Sequence, residues 1–292
     1  PPTSPLTNIT NTKLLCCQTA TSATAAAVTP NSITVNGGCS PSGINPFDAF
    51  SKDGVGYMSA SAAGITDGTV SLTGASINTK AGFSIVTYCG HSNGNTTFGH
   101  GLSQAPEIWI NKSRDNSENW RVYYTTADGS YDFMYLNTTG AVNHSGYALP
   151  TSTVINKADD VNEKMVAYCW HSVPGYSKMG SYQGNGNVDG KFVYTGFRPA
   201  FIMMKETTDS STNWVIYDNK RGANTYNPVD VNSYPNLNNA EGDASLDYDF
   251  LSNGFKVRTN NGGINGNDQI YIYMAFAEQP SPNQYGAQSN AR

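Results

Sequence analysis

Charge is scarce in this chain. Of its 292 residues only 13% are Asp, Glu, Lys or Arg, about half the ~25% of an ordinary domain. Basic side chains are also in the minority, 17 Lys and Arg against 22 Asp and Glu, for a net charge of −5. No basic patch is available to neutralise phosphates, so no nucleic-acid partner is expected. No run of ~20 apolar residues occurs, so no membrane insertion is expected. Cysteine is sparse and odd in number: Cys16, Cys17, Cys39, Cys89 and Cys169. That is too few for a disulfide scaffold, and without paired Cys-x-x-Cys motifs zinc has no ligand set. Buried free thiols are the expectation.

Catalytic signatures are missing too. No Gly-x-Ser-x-Gly elbow is present. The Gly-rich stretches around Asn185 and Asn260 are not followed by the Lys-Ser/Thr of a phosphate loop. A glycosidase needs two carboxylates across one cleft, and nothing in the spacing of Glu107, Asp218 and Glu241 pairs them. His91 and His100 share a loop region but lack further metal ligands. The chain is expected not to be an enzyme and to need no cofactor. Calcium is the one ion with a candidate cluster, Asp243, Asp247 and Asp249, which reads equally as a strand with two acids on its outer face.

What the chain has is Tyr (18), Gly (29) and many Asn, Ser and Thr residues, a composition of strands and turns. It also has one stretch that occurs twice. Gly82-Phe-Ser-Ile-Val-Thr-Tyr88, Pro106 and Asn119-Trp120 are answered by Gly175-Tyr-Ser-Lys178, Pro199 and Asn213-Trp214. The offsets are 175 − 82 = 93, 199 − 106 = 93 and 214 − 120 = 94. Such a period exceeds the ~20–50 residues of solenoid repeats and suits a duplicated β domain.

The expected fold is therefore all-β: two tandem homologous antiparallel β-sandwich domains of jelly-roll character, preceded by a strand-forming arm. Residues 1–50 form the arm, 51–80 a linker or an irregular strand lead-in, 81–173 and 174–280 the two repeats, and 281–292 a polar tail. In the arm, Leu14, Leu15, Ile33, Val35, Phe47 and Phe50 are assembly candidates, because an isolated hairpin is marginal in water. The chain opens at Pro1 without an initiator Met or signal peptide, which reads as a piece of a longer or processed polypeptide. Asp128-Gly129 and Ser252-Asn253-Gly254 mark hairpin turns. The closing runs Met165–Trp170 and Tyr271–Phe276 are apolar on both faces, as in central strands. Trp109, Trp120, Trp170 and Trp214 offer flat faces that could stack on sugars, but Trp120 and Trp214 occupy equivalent places in the two repeats and are expected in the core. Loop tyrosines Tyr131, Tyr147, Tyr226 and Tyr234 are the surface-contact candidates, since Tyr supplies rigid amphipathic contact area.

Ala81–Tyr88, Gly99–Leu102 with Pro106, Gly175–Lys178, Val193–Pro199, Leu251–Lys256 and Tyr273–Glu278 together resemble a domain of unknown function. That domain is found, often as a double unit, in virion structural and tail-fibre-like proteins of marine bacteriophages. The arm, with Leu14–Gln18, resembles the end of a lectin-like jelly-roll module. The resemblance implies a virion protein with other virion proteins as partners, a homo-oligomer (a trimer in the first instance), and a host-surface glycan or protein as target. It carries no catalytic residues. A tail-fibre or receptor-binding appendage is the first reading, a capsid decoration protein held by the arm the second, and a polysaccharide-degrading enzyme the third.

Overall fold

The computed structural model describes residues 15–16, 26–28, 50–56, 58–91, 96–157, 162–221 and 227–278. Within the arm, β1 (Leu15–Cys16) pairs antiparallel with β2 (Ala26–Val28). The first half continues with β3 (Phe50–Lys52), β4 (Val55–Gly56), a single-turn helix α1 (Ala60–Ala63), β5 (Leu72–Asn78), β6 (Phe83–Cys89), β7 (Thr96–Gly99), β8 (Ile108–Ser113), β9 (Arg121–Tyr124), β10 (Asp132–Tyr135), β11 (Asn143–His144), β12 (Val154–Lys157) and β13 (Lys164–Trp170). The second half contributes β14 (Ser177–Gln183), β15 (Phe192–Tyr194), β16 (Pro199–Glu206), β17 (Val215–Asp218), β18 (Val229–Ser233), β19 (Gly242–Leu251), β20 (Gly254–Val257), the short α2 (Gly262–Asn265) and β21 (Ile270–Ala277).

These strands form a nine-stranded sheet, β11-β10-β9-β8-β13-β6-β5-β3-β4, and an eight-stranded sheet, β14-β21-β16-β17-β18-β19-β20-β15. A ribbon of β7 and β12 stands apart. The strands obey the turn chemistry of the sequence. Asp128-Gly129 closes the β9–β10 hairpin with Gly129 at φ +87°, a left-handed conformation that glycine adopts without strain. Leu251 faces Gly254 across the β19–β20 turn. As expected, β13 lies between β6 and β8, and β21 between β14 and β16.

One expectation fails. Residues 51–80 are not a linker: β5 pairs along β6, and β3 pairs parallel with β5. The segment is poor in large apolar residues, yet β5 buries Leu72 and, past a register shift between Leu72 and Gly74, Ala75 and Ile77 in period-2 alternation. Period-2 alternation outweighs a Ser/Thr/Gly composition here.

Alternation also explains how the sheets stack. On one face of the nine-stranded sheet Trp109, Tyr123, Met165 and Ala167 pack with Phe98 of β7, Ile155 of β12 and Ala63 of α1. On its other face Ile108, Ile110, Val122, Tyr124 and Met134 meet Met179, Met203, Trp214, Ile272 and Met274 of the second half. The far side of that second sheet turns Tyr182, Ile202, Met204, Tyr217, Tyr271 and Tyr273 into a third core, which α2 plugs through Ile264. Three apolar layers thus alternate with two sheets, a face-to-face sheet packing. Each fully buried large side chain contributes roughly 1.5–3 kcal/mol. The middle layer buries five residues from each sheet, enough to hold the two halves as one body.

The halves share local devices. Strand orders β6-β13-β8-β9-β10 and β14-β21-β16-β17-β18 correspond. Lys112 Nζ donates to the carbonyls of Ser113 (2.7 Å) and Asn116 (2.8 Å). Lys205 Nζ donates to those of Glu206 (2.9 Å) and Asp209 (3.3 Å), the same two steps along the chain. Asn137 accepts from Trp120 N and donates to Asn119; Asn236 does the same for Trp214 and Asn213. The glycine anchors slip by one, however. Trp170 faces Phe83 and Phe276 faces Ser177, an offset of 177 − 83 = 94 where Gly82 and Gly175 stand 93 apart.

Candidate functional site: a groove at the open seam

The eight-stranded sheet curls around its core without closing. Its edges are β14, which pairs only with β21, and β15, which pairs only with β20. The curl brings them near each other: the Tyr182 ring of β14 meets the Phe255 ring of β20 edge-on at 5.9 Å and stacks on Tyr271 at 4.9 Å. Between the two edges lies a groove of about 310 Å³, at the lower end of the ~300–1,000 Å³ of ligand sites.

The wall on the β15 side follows from three residues in alternation. Val193 points into the core, while Phe192 and Tyr194 point out, 45% and 66% exposed. They stand two apart on one face of one strand. Gly254 lets the Phe192 ring lie close to the backbone, since a Cβ there would meet that ring at 3.0 Å.

The opposite wall is Ser181, Tyr182 and Gln183. Tyr273 of the neighbouring β21 forms the inner surface, 2% exposed. Its phenol lies over Gly180: a Cβ there would stand 2.7 Å from the hydroxyl. Burial, then the charge of Glu107, push its pKa up to about 12, so the group stays a protonated hydroxyl. Among the described residues that hydroxyl has no hydrogen-bond partner. Lys191 lines the groove without an ion pair among the described residues. The nearby Lys256 is engaged by Asp189 at 2.8 Å and the Gly190 carbonyl at 2.9 Å. Gln183 Nε2 donates to Asp268 Oδ1 at 3.3 Å. The groove therefore offers two aromatic faces, several neutral hydrogen-bonding groups and one cation.

The surface tyrosines expected from sequence lie elsewhere. Tyr131 is a correction: it is 5% exposed, because its hydroxyl accepts from the buried Trp109 indole at 2.7 Å. Tyr147 is half-buried edge-on against Tyr131, and Tyr234 packs on the third core. Tyr226 lies outside the described residues, as do Leu14, Ile33, Val35 and Phe47. Leu15 sits in β1. Phe50 belongs to β3 and packs on the chain's own core, so its apolar surface is used within the chain. The outward pair Phe192 and Tyr194 was missed. Its only signal is one aromatic–aliphatic–aromatic alternation, too short to stand out from the motif around it.

The remaining candidates are committed to structure. Trp109 and Trp214 are buried, and Trp120 and Trp170 flank the middle core. Glu107 accepts from Ser172 N. Asp218 and Glu241 both pair with Arg221, at 2.5 and 3.6 Å. Asp249 pairs with Arg258 at 3.4 Å, and the Asp243 side chain is outside the described set. His144, itself exposed, bonds the buried Asp132 at 2.7 Å. Cys169 is buried, but Cys89 is exposed, correcting the expectation for that thiol: it ends β6 on the outward side. Among the described residues no group of three His, Cys, Asp or Glu side chains is placed to hold a metal ion. No helix among them is long and apolar enough to cross a membrane.

The chain belongs to the family of the domain of unknown function DUF7483, whose profile matches residues 13–280. The match takes in the arm strands and residues 51–80 as well as both halves. Neither the curated proteins nor the solved structures contain a match to the chain.

Proposed function

We propose that this DUF7483 protein is a non-enzymatic structural protein of a bacteriophage particle, built on a doubled β unit. Its role is as a subunit of a tail-fibre or receptor-binding appendage that contacts the host surface. The phage context comes from the motif resemblance. The doubling is supported by the corresponding strand orders and by the paired Lys112/Lys205 and Asn137/Asn236 bonds. The observation that carries the reading is the seam groove. A body stiffened by three cores holds two aromatic rings outward beside neutral hydrogen-bonding groups, which is a contact surface on a rigid scaffold.

Light scattering and mass photometry on the full chain test it. An appendage subunit forms a stable symmetric oligomer, a trimer in the first instance. A chain that remains a monomer at micromolar concentration overturns the appendage role and favours a decoration protein docked on the particle.

A further inference from the structure

We infer that the seam groove between β14 and β15 binds an uncharged glycan, with sugar rings stacking on Phe192 and Tyr194. The inference rests on the host-contact reading above for its biological meaning. Its physical case stands on the groove itself.

Single exposed aromatics are ordinary on protein surfaces. Here two rings share one face of one three-residue strand and border a concavity. Tyr273 lines that concavity, and among the described residues its hydroxyl has no hydrogen-bond partner. A ligand hydroxyl that reached it would supply the missing bond. Among the described residues Ser181 and Lys191 stand at the rim with unengaged donors, and Gln183 keeps its carbonyl. Flat apolar faces beside several neutral donors and acceptors match the chemistry of a sugar, whose ring faces carry C–H groups and whose edge carries hydroxyls.

Other occupants fit less well. An added β-strand needs a run of open backbone groups; β15 has three residues, and on the β14 edge the Met179 N–H already donates to Ser172 Oγ at 2.9 Å. A polyanion, whether nucleic acid or acidic polysaccharide, would meet one unpaired lysine on a chain of net charge −5 and be repelled at low salt. The Lys191 ammonium then serves as a hydrogen-bond donor to hydroxyls.

The test uses the full chain and a panel of neutral gluco-, galacto- and manno-oligosaccharides beside uronate oligosaccharides. Binding is read by calorimetry and saturation-transfer NMR at low and high salt. The expected result is binding of a neutral member with affinity unchanged by salt. Phe192→Ala and Tyr194→Ala each weaken it about tenfold, the equivalent of ~1.4 kcal/mol. Tyr194→Trp retains it. Tyr273→Phe, which keeps the ring packing, weakens it several-fold with little change in melting temperature. The inference is overturned if no neutral glycan binds, if binding survives Phe192→Ala and Tyr194→Ala together, or if only uronates bind and salt abolishes the effect. A symmetric oligomer that ignores every neutral glycan would sink the site and leave the appendage reading standing. A monomer that binds through the groove would do the reverse.

Discussion

The indole nitrogen of Trp214 donates to the main-chain oxygen of Tyr135, 2.8 Å away. One residue lies at the entrance to β17, the other at the end of β10, so the bond joins the two sheets across their shared core. Trp214 is 1% exposed, whereas Trp120, at the corresponding place of the first half, is only half-buried. Trp214→Phe strands the Tyr135 carbonyl and leaves a void, and should cost about 2–4 kcal/mol. Trp120→Phe should cost under ~1 kcal/mol. Urea unfolding of both variants checks the contrast, and equal losses would contradict it.

His100 makes the fold sensitive to mild acid. Its Nε2 bonds the Thr151 carbonyl at 3.1 Å, and Leu102 N–H donates to Nδ1 at 3.1 Å. A proton on Nδ1 would confront that N–H. Burial, only partly offset by the Thr151 bond, lowers the pKa from 6.5 to about 4, and neighbouring His171 adds a smaller push downward. The folded value lies below the unfolded one, so the unfolded chain takes up the proton first. This contribution is complete above pH 6.5 and declines as the pH falls toward 4. Between pH 7.5 and 5.0 the loss should be about 2 kcal/mol. Denaturant melts at the two pH values measure it. His100→Gln should show a shallower dependence over the same interval.

Gly180 is a steric prediction. A Cβ there meets the Tyr273 hydroxyl at 2.7 Å and its ring carbon at 2.8 Å. Gly180→Ala should destabilise the protein by about 1–3 kcal/mol. Adding Tyr273→Phe should return part of that, since one of the two clashes is removed, and a double-mutant cycle would expose the coupling. Additive losses would mean that the ring simply swings away.

The two described free thiols should differ sharply in reactivity. Cys89 is exposed, while burial pushes Cys169 up to about 12. Only thiolate alkylates. Iodoacetamide on the native protein followed by peptide mass mapping should label Cys89 within minutes and leave Cys169 unmodified until denaturant is added. Comparable labelling of both would place Cys169 near solvent.

Much of this architecture could be read from the residues, for local reasons. Asp128-Gly129 and Ser252-Asn253-Gly254 announced their hairpins because turn conformation is encoded by the turn residues themselves. Met165–Trp170 and Tyr271–Phe276 announced central strands because only a strand covered on both sides is apolar on both. The failures are non-local. β3 to β5 are held by a neighbour rather than by their own hydrophobicity, so Ser, Thr and Gly there read as a linker. Tyr131 sits two residues beyond a surface turn and looked exposed, and only the Trp109 indole that bonds it explains the burial. Phe192 and Tyr194 became a pair facing a groove through the curl of a whole sheet, which no short window contains.

The middle core has one more implication. Five side chains from each half close on one another, with only residues 171–176 between the last strand of one half and the first of the other. The arrangement is that of an interface whose two sides belong to one chain. The tether sets a high effective concentration, so dilution cannot part them. The two halves should therefore unfold together in a single transition, with no step in which one half melts alone.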